Sequence, residues 1–199
     1  PNPVAKSARG KLRYNAKKID TRRRFLVGRK LFRLFIEVYY TPMRTIPPPS
    51  DVFFKGRTGD PRLGEWVKVD TDSKGPYAGG FGLLGCPDDT GVRLNRGRPG
   101  ADKGPDQIRK ALYKMALPDG WPERFLIDAG NTPVSNNISV THDAAREAAE
   151  RIVKSGLGLI TLGGGHDFAF PCFEGFASGI RMTKAKARLG LINVDPHLD

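Results

Sequence analysis

The sequence predicts an α/β fold, a three-layer α/β/α sandwich around a mostly parallel sheet. Three observations predict it. Short apolar runs of strand length stand at Gly80–Cys86, around Phe125–Ile127, at Leu157–Leu162 and at Leu189–Val194. Amphipathic segments long enough for crossover helices separate them, giving the order β-α-β-α-β-α-β. The later runs also end in polar motifs, at the carboxyl ends of strands, where open α/β sheets place their ligand sites.

Taken in order, residues 1–42 form a basic tail, residues 43–79 an extended N-terminal arm and residues 80–199 the α/β domain. The tail holds 12 Lys/Arg and 2 Asp/Glu, a net of +10, against a chain total of +12. The remaining 21 Lys/Arg and 19 Asp/Glu leave the rest nearly neutral, so the pI near 10.0 is a property of the tail. An organelle transit peptide or a nucleic-acid arm would share this composition. The plainer reading is that the tail lies outside the folded protein, with Met43 near the natural start. In the arm, Pro47-Pro48-Pro49, Gly56 and Gly59-Asp60-Pro61 break regular structure. Val52-Phe53-Phe54 and Trp66-Val67 are the apolar islands expected to pack it onto the domain.

Gly80–Cys86 is expected as the first core strand, followed by a polar loop over Pro87–Gly104. A helix opens at Pro105-Asp106, with Asp106 as N-cap or first-turn acid, and Ile108, Leu112 and Met115 mark its apolar stripe. A second strand runs through Phe125–Ile127 into Asp128-Ala129-Gly130. Thr141 is expected to cap a helix to Ser155, with Ala144, Ala148, Ile152 and Val153 inward and Gly156 as its C′ stop. The strand Leu157–Leu162, a helix over Phe168–Met182 and the strand Leu189–Val194 complete the pattern. Leu31–Tyr40 is too short for a membrane span and carries Arg33 and Glu37. Cys86 and Cys172, both in apolar surroundings, read as buried reduced thiols. A soluble, reducing, cytoplasmic setting is the expectation, with no membrane partner.

The chemistry concentrates near the end of the chain. Asp195, His197 and Asp199 alternate, so an extended backbone would turn all three to one side. Carboxylate oxygen with imidazole suits Mn²⁺, Fe²⁺ or Zn²⁺ better than Ca²⁺. Alone, such a string also describes a solvated acidic turn. A neighbouring strand ending in His166 favours a metal site. Gly163-Gly164-Gly165 could cradle a phosphate, but neither nucleotide-binding glycine pattern is present. A sharp turn that aims His166 inward is the preferred reading. His142, with no partner in its own stretch, reads as a surface residue.

Leu162-Gly163-Gly164-Gly165-His166-Asp167 and Asn193-Val194-Asp195-Pro196-His197-Leu198-Asp199 resemble the first two metal motifs of the arginase/agmatinase/formimidoylglutamase (ureohydrolase) superfamily. Gly91-Val92-Arg93-Leu94-Asn95-Arg96-Gly97-Arg98-Pro99-Gly100-Ala101, continuing to Gly104-Pro105-Asp106-Gln107-Ile108-Arg109, is similar to the formimidoylglutamase branch. The resemblance covers about residues 80–199. It implies a manganese hydrolase of linear C–N bonds with two Mn²⁺ ions per complete site, acting on a small molecule. His166 and Asp199 would bind one ion, His197 the other, and Asp195 would bridge them, with Asp199 also orienting the attacking hydroxide. Arg93, Asn95 and Arg98 could meet substrate carboxylates at the rim of the site; an ordinary solvated basic loop is the alternative reading of the same residues.

Formimidoylglutamate, cleaved to glutamate and formamide in histidine breakdown, is the substrate expected. Arginase or agmatinase activity, or a member without catalysis, is the alternative. Pro196 departs from the family's usual Ala, and a third metal motif is not found before Asp199. The chain is therefore expected to be an N-terminal portion, poorly active alone, with an unpaired sheet edge. A nucleic-acid-binding reading predicts steep salt dependence, but no aromatic stacking or helix-turn-helix pattern supports it. Homo-oligomer formation is left open.

Overall fold

The computed structural model describes residues 44–117, 120, 126–184 and 186–194. The basic tail and the cluster of Asp195, His197 and Asp199 lie outside these residues. The described part is built on a parallel sheet of β1 (Lys68–Val69), β2 (Phe81–Cys86), β3 (Leu126–Asn131) and β4 (Gly158–Gly163), in the order β1-β3-β2-β4. Five helices accompany it: α1 (Leu63–Trp66), α2 (Thr90–Leu94), α3 (Gly104–Leu112), α4 (Ile138–Lys154) and α5 (Ala169–Thr183).

Period-two alternation explains the three layers. On one face of the sheet Leu84, Cys86, Ile127 and Ala129 pack against Ala145, Ala148, Ala149 and Ile152 of α4 and against Phe168 and Cys172. On the other face Leu83, Leu126 and Leu162 meet Tyr113, Val52 and Leu63. Successive strand residues point to opposite sides, so a central strand covered twice is apolar throughout. Burying each large aliphatic side chain contributes about 1.5–3 kcal/mol. Phe53 and Val67 pack at the margin of the second cluster, as expected of the arm, while Phe54 and Trp66 stay exposed. The arm also supplies β1 and a 3-10 turn at Ser50–Val52. Arg44 and Thr45 hold its start, where Thr45 Oγ1–H donates to Thr71 O at 2.8 Å and also reaches Ala129 O.

Helix α4 starts at Ile138, three residues before the expected Thr141, because Asn137 accepts from Ser139 N at 3.0 Å and is the cap. Thr141 is buried instead, its hydroxyl oxygen accepting from Ser135 N at 2.9 Å. The inward face is the expected one, and Gly156, at φ +97, follows the helix end. In α3 the expected stripe is displaced. Asp106 is a first-turn acid, but Ile108 and Met115 are 44% and 58% exposed, whereas Arg109 and Tyr113 are fully buried. Helical spacing is kept; the face is set by a polar partner on the sheet.

That partner is Asp128 of β3. Arg109 donates Nε to Oδ2 at 2.8 Å and Nη2 to Oδ1 at 2.9 Å, then Nη1 to Asn131 Oδ1 at 2.6 Å and Nη2 to Gly130 O at 3.0 Å. The Tyr113 hydroxyl also donates to Asp128 Oδ2. Burial first, and the adjacent Asp128 charge second, push that phenol well above its ordinary pKa and keep it a donor. Gly85 leaves the space, since a Cβ there would lie 1.9 Å from Asn131 Oδ1.

The expected strand Leu189–Val194 is not formed. Its residues have no regular structure, and Leu191, Ile192 and Val194 are 72%, 89% and 94% exposed. An apolar run gains from a parallel sheet only when it is paired and covered on both faces. Among the described residues β4 pairs only with β2, so its outer edge is open.

Removing one partner of the Arg109–Asp128 pair strands a buried charge. Arg109→Leu and Asp128→Ala are each expected to cost about 3–5 kcal/mol of unfolding free energy in urea titration. The Cys86 and Cys172 sulfurs lie 3.9 Å apart as free buried thiols. The neighbouring Cys172 thiol and then burial push Cys86 well above its ordinary range. Iodoacetamide mapped by mass spectrometry is expected to label neither cysteine until the protein is unfolded.

Candidate functional site

The sheet topology selects one end of the molecule. Strand β2 leads through α2 to α3, which packs on one face, and the adjacent β4 is followed by α5, which packs on the other. Their carboxyl ends therefore part in opposite directions, the geometry that opens a ligand crevice in α/β sheets. His166 stands there, in a 3-10 turn over His166–Phe168 directly after β4. The loop after β2 stands beside it and carries Asp88, Asp89 and α2.

The glycines before His166 serve that juxtaposition. Gly164 N donates to Cys86 O at 3.0 Å and Gly165 N to Asp88 O at 2.9 Å. Both N–H groups thus extend the β4–β2 pairing past the strand ends, and neither is left to cradle a phosphate. The turn needs no left-handed residue there. What it needs is contact, because a Cβ on Gly164 would lie 2.2 Å from Asp88 O and 2.3 Å from Cys86 O. The His166 side chain is exposed at this end, not drawn into the interior as expected.

The loop of candidate substrate residues is braced from below. Asp89, buried, accepts from Gly100 N at 2.7 Å and pairs with Arg93 at 2.7 Å. Arg93 stays largely exposed, as do Asn95 and Arg98. Asp88 Oδ1 accepts from Thr90 N at 3.1 Å and from the Thr90 hydroxyl at 2.6 Å, while its Oδ2 is buried without a partner among the described residues.

Two residues escaped the sequence reading. His142 is not an isolated surface side chain: its Nε2 lies 2.6 Å from Asp167 Oδ2, and its ring meets Phe168 edge-on at 5.2 Å. A carboxylate only accepts, so Nε2 carries the proton. Their separation of 25 residues leaves no local signal. Arg109 was hidden by its charge, although its four-residue spacing from both Pro105 and Tyr113 places it on the buried side.

The donors available for a metal are nitrogen and oxygen without thiolate, which suits Mn²⁺. His166 offers an accessible imidazole at the crevice. Among the described residues no three His, Cys, Asp or Glu side chains are grouped for an ion; the other candidate ligands, Asp195, His197 and Asp199, lie outside them. The candidate residues fit the ion in type, and His166 is exposed in the turn that follows β4.

A model of the arginase family matches residues 80–199. A formimidoylglutamase of Clostridium tetani (strain Massachusetts / E88) is 35% identical over 165 residues, covering 76% of this chain and 48% of that protein. One from Salmonella paratyphi A is 42% identical over 118 residues, covering 59% and 36%. A Trypanosoma cruzi formiminoglutamase structure with Mn²⁺ shares the fold at TM-score 0.55 and 26% identity, over 70% of this chain and 46% of that one. The chain thus spans about half the length, or less, of these relatives. Among the described residues, no helix is long and apolar enough to cross a membrane.

Gly164→Ala tests the close approach at the crevice. Its methyl group must displace backbone on both sides, so a loss of about 1–3 kcal/mol is expected in thermal or urea unfolding. An unchanged midpoint would show that the two strand ends are not held in contact.

Proposed function

Because the chain belongs to the arginase family, we propose that the full-length protein is a manganese-dependent hydrolase of linear C–N bonds that converts formimidoylglutamate and water to glutamate and formamide. The observation that carries this reading is the position of His166 at the β2/β4 crevice, beside the loop bearing Arg93, Asn95 and Arg98, in a chain resembling proteins named formimidoylglutamase. The proposed setting is histidine breakdown in the cytoplasm, with a small molecule as the reaction partner.

Each residue then has a defined task. His166 and Asp199 would hold one manganese ion, His197 the second, and Asp195 would bridge them. Asp199 would also accept a hydrogen bond from the attacking water and so orient it. Manganese, when bound, supplies a Lewis acid and a water acidified towards neutral pH. Arg93, Asn95 and Arg98 would bind the glutamate carboxylates, which keeps the formimino carbon directed at the crevice. Asp89 supports that role by fixing Arg93 on α2 while leaving the guanidinium accessible.

Assaying the full-length protein with formimidoylglutamate, arginine, agmatine and guanidinobutyrate decides the substrate. Formimidoylglutamate is expected to give the highest kcat/KM, and faster agmatine turnover would overturn the assignment. In the same protein His166→Ala is expected to weaken manganese binding at least about tenfold, the scale on which even supporting residues act. Electron paramagnetic resonance of free Mn²⁺ measures it directly. Two ions bound with undiminished affinity would remove His166 from the site.

A further inference from the structure

We propose that His142 is a positioning residue that holds the two halves of the candidate site together through Asp167. Its ring projects from the first turns of α4 and donates Nε2–H to Asp167 Oδ2 at 2.6 Å. Asp167 immediately follows His166, so this bond fixes the turn that presents the imidazole. The Asp167 carboxylate also lies directly over Gly91, where an added Cβ would be 2.4 Å from its Cγ and 2.5 and 2.7 Å from its two oxygens. Gly91 belongs to α2, the helix carrying Arg93 and leading to Asn95 and Arg98.

One carboxylate therefore touches three elements: the turn with His166, the helix with Arg93, and α4. The first two form the crevice and the third is scaffold. With the histidine in place, the Asp167 carboxylate, a quarter exposed at 25%, stays pressed on Gly91; without the N–H donor it is free to turn towards water. The edge contact of His142 with Phe168, itself in the core, sets the ring's orientation. Outer partners of this kind orient the groups that meet a ligand, and their loss is felt in affinity before it is felt in folding. The inference rests on the hydrolase reading only where manganese affinity and kinetics are used.

The test uses three variants of the full-length protein. His142→Phe keeps the aromatic contact and removes the donor, whereas His142→Gln keeps an N–H near the Nε2 position. Trypsin cleavage after Arg93 and Arg96 reports on the α2 loop, independently of any activity. Cleavage there is expected to be about tenfold faster in His142→Phe at an unchanged melting temperature, with His142→Gln within about threefold of the parent. Manganese affinity is expected to fall, and KM for formimidoylglutamate to rise more than kcat falls. Unchanged loop cleavage in His142→Phe, or His142→Gln behaving like His142→Phe, would overturn the proposal. If the parent protein does not turn over formimidoylglutamate, the substrate reading fails while the cleavage still decides the role of His142. Should His142→Phe not fold, Asp167→Asn weakens the same bond and is held to the same outcomes.

Discussion

The buried pairing of Arg109 with Asp128 is the constraint on which the described structure depends. Taking both charges out of water costs several kcal/mol each, and only dense hydrogen bonding recovers it. Here the guanidinium makes four such bonds, and the carboxylate accepts from Arg109, Tyr113 and Gly130 N. Because every donor has a fixed direction, α3 can pack on the sheet in one rotation only. The same bonds hold Asn131 at the end of β3, where its backbone exchanges two 2.7 Å hydrogen bonds with Ile46 and so fastens the start of the arm. One ion pair thus sets helix rotation, strand end and arm attachment. An apolar contact of similar size would constrain only the distance.

Residues whose burial follows from their own hydrophobicity were legible from sequence. The runs ending at Cys86, Gly130 and Leu162 became strands, and the Ala144, Ala148, Ile152 and Val153 face of α4 is buried as its spacing requires. Where burial depends on a distant partner, the pattern misleads. Arg109 reads as solvent-facing until Asp128 is placed beneath it, and Ile108 reads as core until that rotation turns it out. His142 and Asp167 are the same case at the crevice. The apolar run Leu189–Val194 shows the converse: strand-like composition alone does not pair it with the open edge of β4 among the described residues.

The placement of charge follows a similar logic. The excess of positive charge lies in residues 1–42, while the crevice end of the domain is braced by acidic groups, Asp88, Asp89 and Asp167. Each holds a backbone N–H, an arginine or a histidine, with only Asp88 Oδ2 left buried without a partner among the described residues. The exposed groups they leave at the rim are His166, Arg93, Asn95 and Arg98, which are basic or neutral. On the proposed function, that rim would suit a carboxylate-bearing substrate.

The strand order has a bearing on how the molecule assembles. Strand β2 meets β3 with Phe81 opposite Leu126, 45 positions away, and meets β4 with Phe81 opposite Gly158, 77 positions away. Closing the longer loop costs only about 0.5 kcal/mol more by chain statistics. Entropy of closure therefore scarcely ranks the two events. The high sequence separation of both pairings instead marks a chain that must hold unfinished sheet edges while it searches, a slow class of folding. The crevice lies at the more distant of the two junctions, so its halves meet only in a chain that has already brought β4 to its place.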